Sequence, residues 1–247
     1  MKPGNQTTVT HFLLQGFGLH GKMQLLFFMV ISVMFLATVT GNSLLVMITT
    51  IDSVLHTPMY YFLKNLALTE ICYSLGIVPK MLLILLLERK NISFTACALQ
   101  LSCAILFGTC ECFLLGSMAY DRQVAVCHPL HYATMMNRDL CFKMALGSWL
   151  SGVPVAVVFT TWLFTFPFCR TNEVDHLFCD VSPVLKLVCA DTALFEILVF
   201  LATVIIVMIP FSLIIISYLL IIHAVLQIPS AVGQRRAFST CAAHLVV

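Results

Sequence analysis

The sequence predicts an all-α membrane protein, a bundle of apolar helices, and three observations predict it. Of 247 residues, 60% are hydrophobic and 10% charged, where a soluble domain carries roughly a quarter charged residues. So few charges cannot cover a water-facing surface, and lipid must be the main solvent. The run from Met23 to Ile51 holds no charge and is far too long for the apolar core of a removable signal. Four further apolar runs of spanning length follow it. Backbone groups in lipid have no water to pair with, so each span must be a helix.

The elements follow in chain order. Residues 1–24 form a polar, mixed tail with no signal-peptide pattern. Crossing about 30 Å of hydrocarbon takes roughly 20 apolar residues, which places a first span at 25–49 and a second at 58–87. Lys64, Glu70 and Lys80 interrupt the second, and Lys80, just past Pro79, is expected to snorkel to its outer rim. A third span covers 97–120, a fourth 144–166 and a fifth 194–222. Pro210 lies inside the fifth, where its missing backbone donor can bend a helix. A further apolar stretch at 236–247 rises only about 18 Å as a helix, so it is a stub. Residues 25–247 thus read as one partial transmembrane domain with five complete spans. Connections are short except 167–193, which holds Cys169, Cys179 and Cys189.

Composition also excludes function classes. A net charge of +2 with no basic block gives no footprint for nucleic acid. There is no CxxC pair or zinc-type spacing, and His176 with Cys179 is the single weak candidate for a metal. No nucleophile–base set stands out, so the chain does not read as an enzyme, and no cofactor is implied. A transporter or channel subunit would draw on Glu70, Glu111 and Lys80, but internal repeats and paired broken helices are missing. Cys72, Cys103, Cys110, Cys112 and Cys241 sit in apolar runs and read as small buried hydrophobes.

Counting Lys and Arg on the two sides does not orient the bundle. Two acceptor sequons, Asn5-Gln6-Thr7 and Asn91-Ile92-Ser93, favour an outside tail, with Asn5 as the glycosylation site. The cysteine loop then lies on the same oxidising side.

Three polar residues reach similar mid-membrane depth: Asn42, Glu70 and Glu111. Acids at that depth are rare and face a bundle interior or a wet cavity. A hydrogen-bonded packing knot and a cation or protonation switch both fit. Asp121 and Arg122 arrive at the inner headgroup boundary, where Arg122 can snorkel and pair with Asp121. Such a pair can be held in one helix arrangement and released in another; a plain interfacial anchor fits the same residues.

At these residues a family becomes visible. The chain resembles a vertebrate olfactory receptor, a member of the rhodopsin-like G-protein-coupled receptors. The resemblance rests on Gly41-Asn42, LHTPMYYFLKNLALTE at 55–70, PKML at 79–82, MAYDRQVAVCHPLHY at 118–132 and HLFCDVSPVLKLVCADT at 176–192. Ser217-Tyr218 and RRAFSTCAAHL at 235–245 complete it. It implies a rhodopsin-like seven-helix bundle that binds small volatile odorants and activates an olfactory stimulatory heterotrimeric G protein. It implies disulfides Cys97–Cys179 and Cys169–Cys189. It places Ala104, Ile105, Gly108, Thr109, Ala202, Thr203 and Ile206 around the odorant, although helix–helix packing explains small residues at each of these places equally well. Asp121, Arg122 and Tyr218 would form the G-protein switch.

Three departures stand out. Gln123 replaces the usual tyrosine, Glu70 stands where aspartate is commoner, and the sixth helix is partial with the seventh absent. The last implies doubtful signalling, retention in the endoplasmic reticulum rather than display at the plasma membrane, and an alternative role as a non-signalling product that interferes with complete receptors.

Overall fold

The computed structural model describes residues 10–15, 21–87, 90–168 and 172–227. Among the described residues, five helices are long and apolar enough to cross a membrane: α1 (Lys22–Ile51), α2 (Pro58–Leu87), α3 (Phe94–Cys127), α5 (Arg138–Thr165) and α7 (Ala193–Leu226). Two short helices, α4 (Tyr132–Met135) and α6 (Val181–Leu185), lie in the connections. The five spans fall where hydropathy places them, and α2 has the expected bounds. The others run longer, and for α3 and α5 polar N-caps set the start ahead of the apolar stretch. Ser93 opens α3 by accepting from the Ala96 amide, and Asn137 opens α5 by accepting from that of Leu140. The stub at 236–247 lies outside the described residues, as do Asn5 and Cys169.

The helix α3 is the axis, packing against α2, α5 and α7, while α1 packs on α2. The outward faces of α1 and α7 carry bare Leu, Ile, Val, Met and Phe side chains, which would be ruinous in water and is what lipid requires. At Gly152 of α5 the helices meet so closely that a Cβ would lie 2.6 Å from the Leu106 carbonyl oxygen of α3. Small residues that let backbones touch are the usual device for packing helices in lipid.

One end carries a small sheet that hydropathy does not reveal. Strand β1 (His11–Leu14) pairs antiparallel with β2 (Asn91–Ser93), opposing Phe12 to Ile92, and parallel with β3 (Glu173–Val174). Phe12 and Leu14 are fully buried. Phe12 meets Phe94 and Phe168 at ring-centroid distances of 5.9 and 5.5 Å, and Phe94 meets Phe164 at 4.9 Å. Part of the tail is therefore a structural element. It plugs an aromatic cap over α3 and α5.

Candidate functional site: a strapped bundle with a polar lock at the far end

At the sheet end, Cys97 in the second turn of α3 is disulfide-bonded to Cys179. A second tie lies beside the first. Gln100, one turn on, accepts a hydrogen bond from the Cys179 amide at 2.9 Å and donates to the Gly76 carbonyl of α2 at 3.1 Å. The loop between α5 and α7 is thus strapped across the top of α2 and α3 by one covalent bond and a buried amide clamp. With its sulfur in the disulfide, Cys179 offers no thiolate to a metal beside His176. Cys189 is also disulfide-bonded. Lys80 donates to the Asn91 carbonyl at 2.5 Å, which fixes the end of α2 to the sheet.

Below the strap, α3 carries Ala104, Ile105, Gly108 and Thr109. Thr109 is buried, and the other three are half-buried. On α7, Ala202 and Ile206 are half-buried, whereas Thr203 is exposed and turns its hydroxyl back to the Val199 carbonyl at 2.8 Å. A threonine that satisfies itself on its own helix offers no free donor inward. Two cavities formed by described residues lie elsewhere. One of about 350 Å³ sits between α3, α5 and α7 against Gly116, Ser148 and Pro210. The other, about 590 Å³, opens at the far end.

Midway along the helices, Asn42 of α1 donates to the Glu70 carboxylate of α2 at 2.7 Å, and Glu111 of α3 is near enough to feel the Glu70 charge. The three polar residues are therefore brought together. One amide–carboxylate hydrogen bond ties α1 to α2, and the Glu70 charge is felt by Glu111 on the neighbouring helix.

At the far end, α3 continues two turns beyond the expected boundary, to Cys127. Asp121 is buried, at 1% exposure. Its carboxylate accepts a hydrogen bond from the Tyr132 hydroxyl at 2.8 Å. Among the described residues Arg122 forms no ion pair with Asp121, and its Nε is buried without a hydrogen-bond partner. Consecutive side chains on a helix do not face each other; Asp121 is taken by Tyr132 of α4, and Arg122 acts on it through its charge without forming an ion pair. Burial and the bonded Asp121 carboxylate both push the Tyr132 phenol above its ordinary value, so it remains a donor. Gln123 is tied as well, since Ser217 of α7 donates to its side-chain carbonyl at 3.2 Å. Tyr218, half-buried, is the next residue along α7.

Sequence reasoning gave no role to Gln100, Tyr132 or Phe12. Tyr132 lies eleven residues after Asp121 on another element, so no helical spacing joins them. Gln100 is a lone polar residue in an apolar run, which was the one signal available.

Comparisons with known proteins decide what this arrangement belongs to. The olfactory receptor family profile matches residues 31–247. The chain is 53% identical to human olfactory receptor 10A5 over 248 aligned residues, covering 100% of this chain and 78% of that protein. It is 54% identical to human olfactory receptor 10A2, over 92% of this chain and 75% of the relative, and 49% identical to human olfactory receptor 10A3, over 99% and 78%. The chain belongs to the olfactory receptor family. As a member it is a multi-pass membrane receptor polypeptide, not an enzyme. Within this olfactory receptor fold, the disulfide strap, the mid-depth polar trio and the Asp121–Tyr132 lock are three separate devices, all hung on α3.

Proposed function

We propose that this olfactory receptor polypeptide binds small volatile odorants between α3 and α7, below the strap, and couples to a stimulatory heterotrimeric G protein at the far end. The observation that carries the reading is the buried lock of Asp121 on Tyr132 beside an unpaired Arg122. A carboxylate held by a neutral phenol leaves the adjacent guanidinium free for an incoming acceptor, and a shift of α3 against α4 would alter that lock. Ala104, Ile105, Gly108 and Thr109, with Ala202 and Ile206, supply a small, mostly apolar lining suited to a ligand held by burial. Thr203 contributes only its methyl face in the arrangement seen.

The strap end is outside in this reading, and the lock end cytoplasmic. Support comes from the disulfides and from Asn91, which is exposed on β2 at the strap end and sits in an acceptor sequon. Asn5 is proposed as the glycosylated residue of the tail. The site of action is the plasma membrane.

The test is a cyclic-nucleotide reporter in cells expressing the chain, challenged with a panel of volatiles. Alongside it, an N-terminal tag is probed on intact cells. A response that Gly108→Val abolishes and Thr109→Ala alters is expected. A tag reached only after permeabilisation, or a response indifferent to both substitutions, would overturn the assignment.

A further inference from the structure

The larger cavity, about 590 Å³, lies at the lock end and is not part of the odorant or switch residues. The turn after α1 and the start of α2 form one wall, and the start of α5 forms the other. Among its lining residues are Lys64, Arg138, Tyr60, Tyr61 and Phe142, and no carboxylate is among them. Neither Lys64 nor Arg138 makes a hydrogen bond or ion pair among the described residues. The nearby acids are otherwise engaged: Asp52 accepts from the Val54 amide at 2.9 Å, Glu70 accepts from Asn42 at 2.7 Å, and Asp139 holds Lys143 at 2.6 Å. Two uncompensated cations therefore share one cleft. Tyr60, Tyr61 and Phe142 are exposed, at 37%, 37% and 56%, on the ends of helices whose outer faces are bare hydrocarbon. The cleft has a cationic part at the helix ends and an aromatic part along the span.

We propose that this cleft binds an anionic phospholipid, with Lys64 and Arg138 on the headgroup phosphate and Tyr60, Tyr61 and Phe142 against the upper acyl chains. Charge complementarity selects the phosphate, and the apolar wall on the lipid-facing side selects a lipid over a free anion. Cationic side chains at a membrane boundary attract anionic lipid, and each contributes about fivefold in affinity. That the lipid belongs to the cytoplasmic leaflet rests on the orientation proposed above. Binding itself does not, because a nanodisc offers the same lipid at both ends of the protein.

The experiment uses the full chain in phosphatidylcholine nanodiscs carrying a trace of photoactivatable phosphatidic acid. Labelled peptides are mapped, and competition is measured with unlabelled phosphatidic acid, phosphatidylcholine and inorganic phosphate. Label is expected on peptides spanning 55–64 and 138–142, displaced by phosphatidic acid and not by phosphatidylcholine. Lys64→Gln and Arg138→Gln should each weaken competition about fivefold, Lys64→Arg and Arg138→Lys should retain most of it, and Lys186→Gln at the strap end should leave it unchanged. Thermal midpoints of the variants identify any that fail to fold, in which case the remaining single variant decides. Label elsewhere, equal displacement by phosphatidylcholine, displacement by inorganic phosphate, or full competition in both glutamine variants would overturn the proposal.

Discussion

Three glycines give a graded test of how α3 is packed. An added Cβ meets nothing within 4 Å at Gly147, lies 3.4 Å from the Pro210 Cβ at Gly116, and lies 2.6 Å from the Leu106 carbonyl oxygen at Gly152. Alanine at Gly147 therefore keeps only the helix-propensity gain, up to about 1 kcal/mol. At Gly116 that gain is roughly cancelled by tight but ordinary contact. At Gly152 the obstacle is backbone, which cannot rotate away, and reaching a 3.4 Å separation needs α5 to retreat by about 0.8 Å. Overpacking of this kind costs about 1–3 kcal/mol, and since both alanines gain the same helix propensity, Gly152→Ala should fall below Gly147→Ala by about 1–3 kcal/mol. Unfolding of the purified variants in mixed micelles, followed by helical circular dichroism, reads the ranking. Equal stability of the Gly147 and Gly152 variants would show that α3 and α5 do not approach as described.

Tyr132→Phe removes the donor to a buried carboxylate, and should cost about 1.5–3 kcal/mol in the same assay while raising basal reporter output; an unaltered basal level would separate the lock from signalling. Asn42→Ala leaves the Glu70 carboxylate without its 2.7 Å donor and should cost about 1–3 kcal/mol, whereas Asn42→Ala combined with Glu70→Gln should recover part of that loss. Gln100→Leu breaks both the Gly76 and Cys179 contacts and should lower stability by about 1–3 kcal/mol, with faster proteolysis between 172 and 189 even while the Cys97–Cys179 bond stays intact by mass spectrometry.

How much was legible in sequence differs between elements for identifiable reasons. The spans were legible because lipid imposes a length and a polarity that leave a one-dimensional trace. Their ends were less so: the extra turns of α3 past Tyr120 and the early start of α5 depend on caps and on amphipathic residues such as Arg122, which hydropathy scores as breaks. The Asn42–Glu70 contact was legible because helical rise converts sequence position into height along a span, and polar groups at similar heights on neighbouring helices can meet. In this arrangement Asp121 is held by Tyr132 and forms no ion pair with Arg122, a contact between two elements that no helical spacing announces.

Taken alone, the order of apolar and polar residues determined the five helices of the described residues that are long and apolar enough to cross a membrane, and through its motifs the family to which the chain belongs. Tertiary structure decided what those residues touch: Tyr132 rather than Arg122 on Asp121, Gln100 under the strap, Phe12 inside an aromatic cap, and two unpaired cations in one cleft. The physical reason is that burial in lipid acts on each residue according to its own chemistry, whereas a hydrogen bond or a contact depends on two elements meeting, and their relative rotation is set by packing that no single segment encodes.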